Sequence, residues 1–122
     1  MANQETETLK ILQKIDDFAD YAYPVFKQFP KSERYGIVAD MKKSIDTMTH
    51  HAIEAEKKYY KKTTLQELDV EIAYMRILVK RSYRRKFLPE KKKNMMLDYL
   101  SEIGRMLGGW MKTCASREAR RK

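Results

Sequence analysis

The sequence predicts an all-α protein, an antiparallel up-down-up-down four-helix bundle. Three observations carry this reading. Four segments repeat apolar residues at three- and four-residue steps, the period that lines one face of an α-helix. Only four Gly and three Pro occur in 122 residues, too few turn formers for a sandwich or barrel of short strands. The segments are joined by short connections, which favour antiparallel neighbours.

The first helix is expected from about Glu5 to Phe29, with Leu9, Leu12, Ile15, Phe18, Ala19, Ala22, Phe26 and Phe29 as its apolar stripe. Pro24 lies inside it and should bend it, because proline removes a helical donor and crowds the preceding turn. The second helix should begin near Ser32 to Tyr35 and bury Val38, Met41, Ile45, Met48, Ala52, Ala55 and Tyr59. Thr64-Leu65-Gln66-Glu67 then matches a capping box. It opens a third helix, with Leu65, Leu68, Ile72, Met75 and Val79 on its core stripe, running to about Phe87. Pro89 suits the first turn of a fourth helix, whose face carries Met96, Tyr99, Ile103, Leu107, Trp110 and Cys114. Residues 1–115 therefore form one bundle, and the charged tail 116–122 is expected to fray.

At this length the chain supports one hydrophobic core. No stretch reaches the roughly 18 apolar residues of a spanning helix. The start, Met1 to Glu7, holds Glu5 and Glu7 and lacks the basic-then-apolar pattern of a signal peptide. Cys114 is the single cysteine, so no intrachain disulfide forms, and a cytoplasmic setting without membrane attachment is expected.

Charge is distributed unevenly. The formal net charge is +9, and residues 76–122 hold fifteen basic and four acidic side chains, net +11. Arg76, Lys80 and Arg84 are four residues apart and predict a ridge along the third helix. Arg81 and Arg85 project from another side, and Lys86, Lys91, Lys92 and Lys93 carry the charge across the following loop. Glu90 is the sole acid between Arg76 and Lys93. Such a face suits successive phosphates, with Arg bidentate and Lys a point charge. No base-reading pattern accompanies it, so nucleic-acid binding should follow the backbone and depend on salt. The plainer reading is a solvated face that serves solubility. Tyr83 lies among these charges but near the core stripe, where packing is its expected role.

Two further features exceed what a bundle core requires. A helical wheel puts Tyr74, Ile77 and Leu78 opposite Ile72 and Val79, a second apolar patch that predicts self-association. Ser101, Gly104, Gly108 and Ala115 form a flank of small side chains, and Gly108-Gly109 costs about 1 kcal/mol per glycine inside a helix. A neighbouring backbone passing close by, or a bend, would explain that cost.

Catalytic constellations do not emerge. His50 and His51 are adjacent and expected to diverge by about 100°. Asp46, His50 and Glu54 share a face, which a solvated polar stripe explains as well as a weak ion site. Cys114 reads as a core filler. No serine elbow, Walker motif or dinucleotide fingerprint is present. A non-enzymatic binding protein, with no cofactor and no metal, is expected.

Phe29-Pro30-Lys31-Ser32-Glu33-Arg34-Tyr35-Gly36-Ile37 resembles the first interhelical segment of four-helix proteins encoded within ribosomal RNA intervening sequences. Ile103-Gly104-Arg105-Met106-Leu107-Gly108-Gly109-Trp110-Met111-Lys112 resembles the last helix of the Avd proteins, the accessory variability determinants of diversity-generating retroelements. Asp69, Ile72, Ala73, Arg76 and Lys80 match the acidic, apolar, small and basic series of the Avd third helix, and the likeness spans roughly Tyr21 to Lys112. The resemblance implies a homopentamer of four-helix bundles. It also implies a positive surface that binds RNA or DNA, and association with the element's reverse transcriptase during error-prone copying of a template RNA. That surface maps onto Arg76, Lys80 and Arg84 here; no residue is assigned to the polymerase contact. The alternatives are an oligomeric protein–protein adaptor and a ribosomal-RNA-associated four-helix protein.

Overall fold

A computed structural model describes residues 4–121 of the chain, with side chains from Thr8 to Arg120. Its helices are α1 (Gln4–Phe26), α2 (Ile37–Lys57), α3 (Lys62–Arg84) and α4 (Glu90–Arg121), with a single 3-10 turn at Lys31–Glu33. No strand occurs among the described residues.

The pairings between helices run in opposite senses. Along α2 and α3, Ser44 meets Glu71, His51 meets Glu67 and Lys58 meets Thr64. Along α3 and α4, Arg76 meets Leu100 and Tyr83 meets Lys93. Phe18 and Tyr21 of α1 meet Tyr99 of α4, and Gln28, just past the end of α1, meets Lys92. In each series one number rises as the other falls, which defines antiparallel neighbours. Each helix packs against the helices before and after it, α1 closes onto α4, and α1 and α3, like α2 and α4, stand diagonally across the core. The result is the expected four-helix bundle.

Each helix contributes its periodic stripe to one core. Ile11, Ile15 and Phe18 of α1, Met41 and Met48 of α2, Leu68, Ile72 and Met75 of α3, and Met96, Leu100, Ile103 and Trp110 of α4 are all sealed from solvent. Burying each such side chain contributes about 1.5–3 kcal/mol, which sets the register of the helices far more firmly than propensity does. Leu9 and Tyr59, expected in the stripes, are 62% and 68% exposed: the core face of α1 runs through Thr8 and Ile11, which turns Leu9 outward, and Tyr59 lies past the end of α2.

The helix ends depart most from expectation. Helix α1 stops two residues after Pro24, and Phe29 enters the core from the connection instead. The residues expected to open α2 form the 3-10 turn, so α2 begins at Ile37 after Gly36. The Thr64–Glu67 capping box does not form. Lys61 occupies the N-cap position without a side-chain cap, and Thr64 is buried, accepting a hydrogen bond from Lys58 Nζ at 3.2 Å. Lys61 instead folds its ammonium back onto the carbonyls of Ala55 at 2.7 Å, Glu56 at 3.0 Å and Lys58, capping the C-terminus of α2. A cation there opposes the negative end of the helix dipole and satisfies orphan carbonyls; burial lowers the Lys61 pKa from its ordinary value. Pro89 lies one residue before α4, where its carbonyl accepts from Lys93 N at 3.0 Å. Helix α4 continues through the segment expected to fray, as far as Arg121.

Helix α3 ends at Arg84, three residues earlier than its pattern suggests. Phe87 N donates to Ser82 O at 2.9 Å and Lys86 N to Tyr83 O at 2.9 Å. These two bonds make a Schellman motif, with Lys86 at φ 65° in the left-handed position usually held by glycine. The motif turns Phe87 inward, 5.7 Å from the Phe29 ring, and Leu88 into the core. It thereby fixes where the basic connection to α4 leaves the bundle.

Candidate nucleic-acid interface

The basic residues gather at one end of the bundle. Lys80 and Arg84 are exposed on α3, Arg85 and Lys86 are exposed at its cap, and Lys91 is exposed on the first turn of α4. Arg81, Lys92 and Lys93 are half-buried beside them. Lys93 Nζ sits 4.2 Å from the centre of the Tyr83 ring, a cation–π contact that holds the ammonium near the surface, and the Lys92 ammonium donates to Gln28 Oε1. Tyr83 packs against the core, so its ring supports the charges. Among the described residues, none of the nine predicted cations forms an ion pair with a carboxylate within 4.0 Å.

Arg76 differs from the rest of the ridge. It is half-buried, with Nη2 donating to the Leu100 carbonyl at 3.4 Å. A Cβ on Gly104 would stand 2.9 Å from that nitrogen. The guanidinium therefore lies across α4 in a notch that the glycine leaves open. Lys80 and Arg84 form the free part of the ridge, and Arg76 is a packed cation behind it.

Antiparallel packing adds cations that the ridge alone does not reveal. The α1–α2 connection occupies the same end, as the Gln28–Lys92 and Phe29–Phe87 contacts show. An open cleft of about 640 Å³ lies between them, lined by Gln28, Tyr83, Arg84, Lys86, Phe87, Leu88 and Pro89. Lys27, Lys31 and Arg34 are exposed on that connection. Their net charge was visible in the sequence, but only the closure of α1 onto α4 brings them beside the cluster. The N-terminus of α4 adds the positive end of its helix dipole to the same region. Such a pole attracts a polyanion over distances comparable to the screening length, about 8–10 Å at physiological salt.

The second apolar patch survives in altered form. Tyr74 and Ile77 are 41% and 49% exposed, whereas Leu78 is 1% exposed and belongs to the core. Leu78 lies three and six residues beyond Met75 and Ile72, within the arc that faces α2 and α4. Val70 takes its place, 68% exposed, so the outer stripe of α3 is Val70, Tyr74 and Ile77. On α4, a Cβ added to Gly108 or Gly109 would meet nothing within 4 Å, so no packing inside one chain requires either glycine.

Fold and charge together define a small, basic four-helix protein. Curated proteins yielded no match to the chain. A family model described as bAvd-like matches residues 9–114, from the first core turn of α1 to Cys114 on α4. The chain belongs to this bAvd-like family, the accessory variability determinants that its last helix resembles.

Proposed function

We propose that the protein is a non-enzymatic accessory factor of a diversity-generating retroelement, holding the reverse transcriptase and its nucleic acid through the basic pole. The observation that carries this reading is the gathering of Lys80, Arg84, Arg85, Lys86 and Lys91 at one end of the bundle, exposed and without carboxylate partners among the described residues. Concentrated like charge costs folding stability through self-repulsion, a cost that a phosphate backbone offsets on binding. Family membership supports the choice of partners in this reading: the template RNA and its cDNA on one side, the polymerase on the other. Polymerisation stays with the reverse transcriptase, and the accessory factor positions the ribonucleoprotein in the cytoplasm.

The exposed Val70, Tyr74 and Ile77 stripe supports self-assembly, a homopentamer in the family that the chain resembles. Five subunits would present five basic ends at once and raise the effective concentration of phosphate contacts. That same stripe also favours the second reading, an adaptor that binds only protein.

Lys80→Glu/Arg84→Glu/Arg85→Glu tests the proposal, since all three residues are exposed and none belongs to the core. Co-purification with the reverse transcriptase and its RNA should fall to background, while circular dichroism and oligomeric state stay as in the wild type. Undiminished recovery of both partners by this variant would remove the basic pole from the mechanism.

A further inference from the structure

We propose that His50, His51, Glu54 and Glu67 form a site for a divalent first-row transition ion, which clamps α2 to α3. The inference goes beyond the nucleic-acid reading and does not depend on it, since these residues lie toward the opposite end of the bundle from the basic cluster.

Neighbouring histidines on a helix are expected to diverge; here the ring centroids stand 6.4 Å apart, yet a donor nitrogen of each comes within 4.8 Å of the other. His50, His51 and Glu54 each offer a donor atom within 4.8 Å of the others. His51 Nδ1 lies 3.3 Å from Glu54 Oε1 and 3.7 Å from Glu67 Oε2. Glu67 belongs to α3, so the donors come from two helices. Ligand atoms bound at about 2.0–2.2 Å around a tetrahedral zinc ion stand about 3.3–3.6 Å apart. Both His51 distances are close to that spacing; His50 lies within 4.8 Å of His51 and Glu54, and Glu67 approaches through His51, so His50 and Glu67, both exposed, would draw in on binding.

The surroundings favour a cation. Glu54 Oε2 accepts from Lys58 Nζ at 3.2 Å, leaving Oε1 turned toward His51. The Lys58 ammonium thus holds the Glu54 carboxylate with one oxygen directed at His51. Lys58 would then act as the outer partner that fixes a ligating carboxylate. Two imidazoles with two carboxylates suit zinc, nickel or copper, whereas calcium and magnesium prefer oxygen throughout.

Zinc chloride titrated into the tag-free, EDTA-treated full chain should bind at one ion per chain with micromolar affinity. It should raise the melting temperature by several degrees, because an ion that binds only the folded state stabilises it. Magnesium chloride at the same concentration should do neither. His51→Ala should weaken zinc binding by at least about tenfold, and Cys114→Ser should leave it unchanged. Glu67→Gln, an exposed substitution that the fold tolerates, should remove most of the thermal shift. Absence of zinc binding, binding indifferent to His51→Ala, or a full thermal shift in Glu67→Gln would each overturn the clamp.

Discussion

Lys86 shows how one residue positions the basic surface. Its left-handed backbone closes α3 and sends Phe87 and Leu88 inward, so the charges on either side of them face out. A side chain at such a position costs about 1–2 kcal/mol relative to the right-handed region, and glycine avoids most of that while losing more chain entropy on folding. Lys86→Gly is therefore predicted to stabilise the fold by about 0.5–1 kcal/mol, read as a higher urea midpoint with an unchanged slope. A lower midpoint would show that the lysine side chain contributes packing which the cap geometry does not reveal. Composition marked Lys86 as one more cation. Its φ follows from the two carbonyl contacts of the Schellman motif, and those depend on where α3 stops, which periodicity does not specify. Leu78 teaches the same lesson on burial. A wheel drawn from spacing placed it outside, and the contact of α3 with two neighbours widened the buried arc to include it.

At the scale of elements, the interiors of the helices were legible and their ends were not. Met41, Met48, Leu68, Ile72 and Ile103 occupy core positions as their spacing requires, because burial of a stripe dominates the energy of a helix within a bundle. Caps are settled by smaller terms, about 1 kcal/mol each, so Lys61 could displace the Thr64–Glu67 box by reaching the carbonyls that end α2. Helix α4 carries the element-scale prediction. Closing a ring of identical subunits requires two different patches that meet head to tail. In the proposed assembly the α3 stripe would supply one, and the open flank at Gly108 and Gly109 would suit the other. Gly108→Ala should favour the isolated helix by about 1 kcal/mol, since its Cβ meets nothing in the chain. In the assembly that methyl group would hold a partner away. Sedimentation velocity should accordingly show weakened self-association. Unchanged or tighter association, with the melting temperature raised, would place the subunit contact elsewhere.

For the molecule as a whole, the sequence revealed the sign and the chain segment of the charge but not its full extent. Residues 80–93 were legible as a cationic run. Lys27, Lys31 and Arg34 join them only through the return of α1 against α4, and Arg76 withdraws from them by lying over Gly104. In the proposed role, a surface composed in this way, from two connections and one helix end, would read phosphate spacing and not base identity. Its signature is the release of counterions. The most direct measurement is therefore the affinity for a fluorescent single-stranded RNA as a function of salt, for the wild type and for Lys80→Glu/Arg84→Glu/Arg85→Glu. Each phosphate contact contributes about −0.7 to the slope of log K against log salt on a single strand. The account predicts a wild-type slope of about −3 or steeper, and in the triple variant a slope shallower by about 2. Failure of the wild type to bind RNA at about 50 mM salt, or a slope that the three reversals leave unaltered, would contradict it.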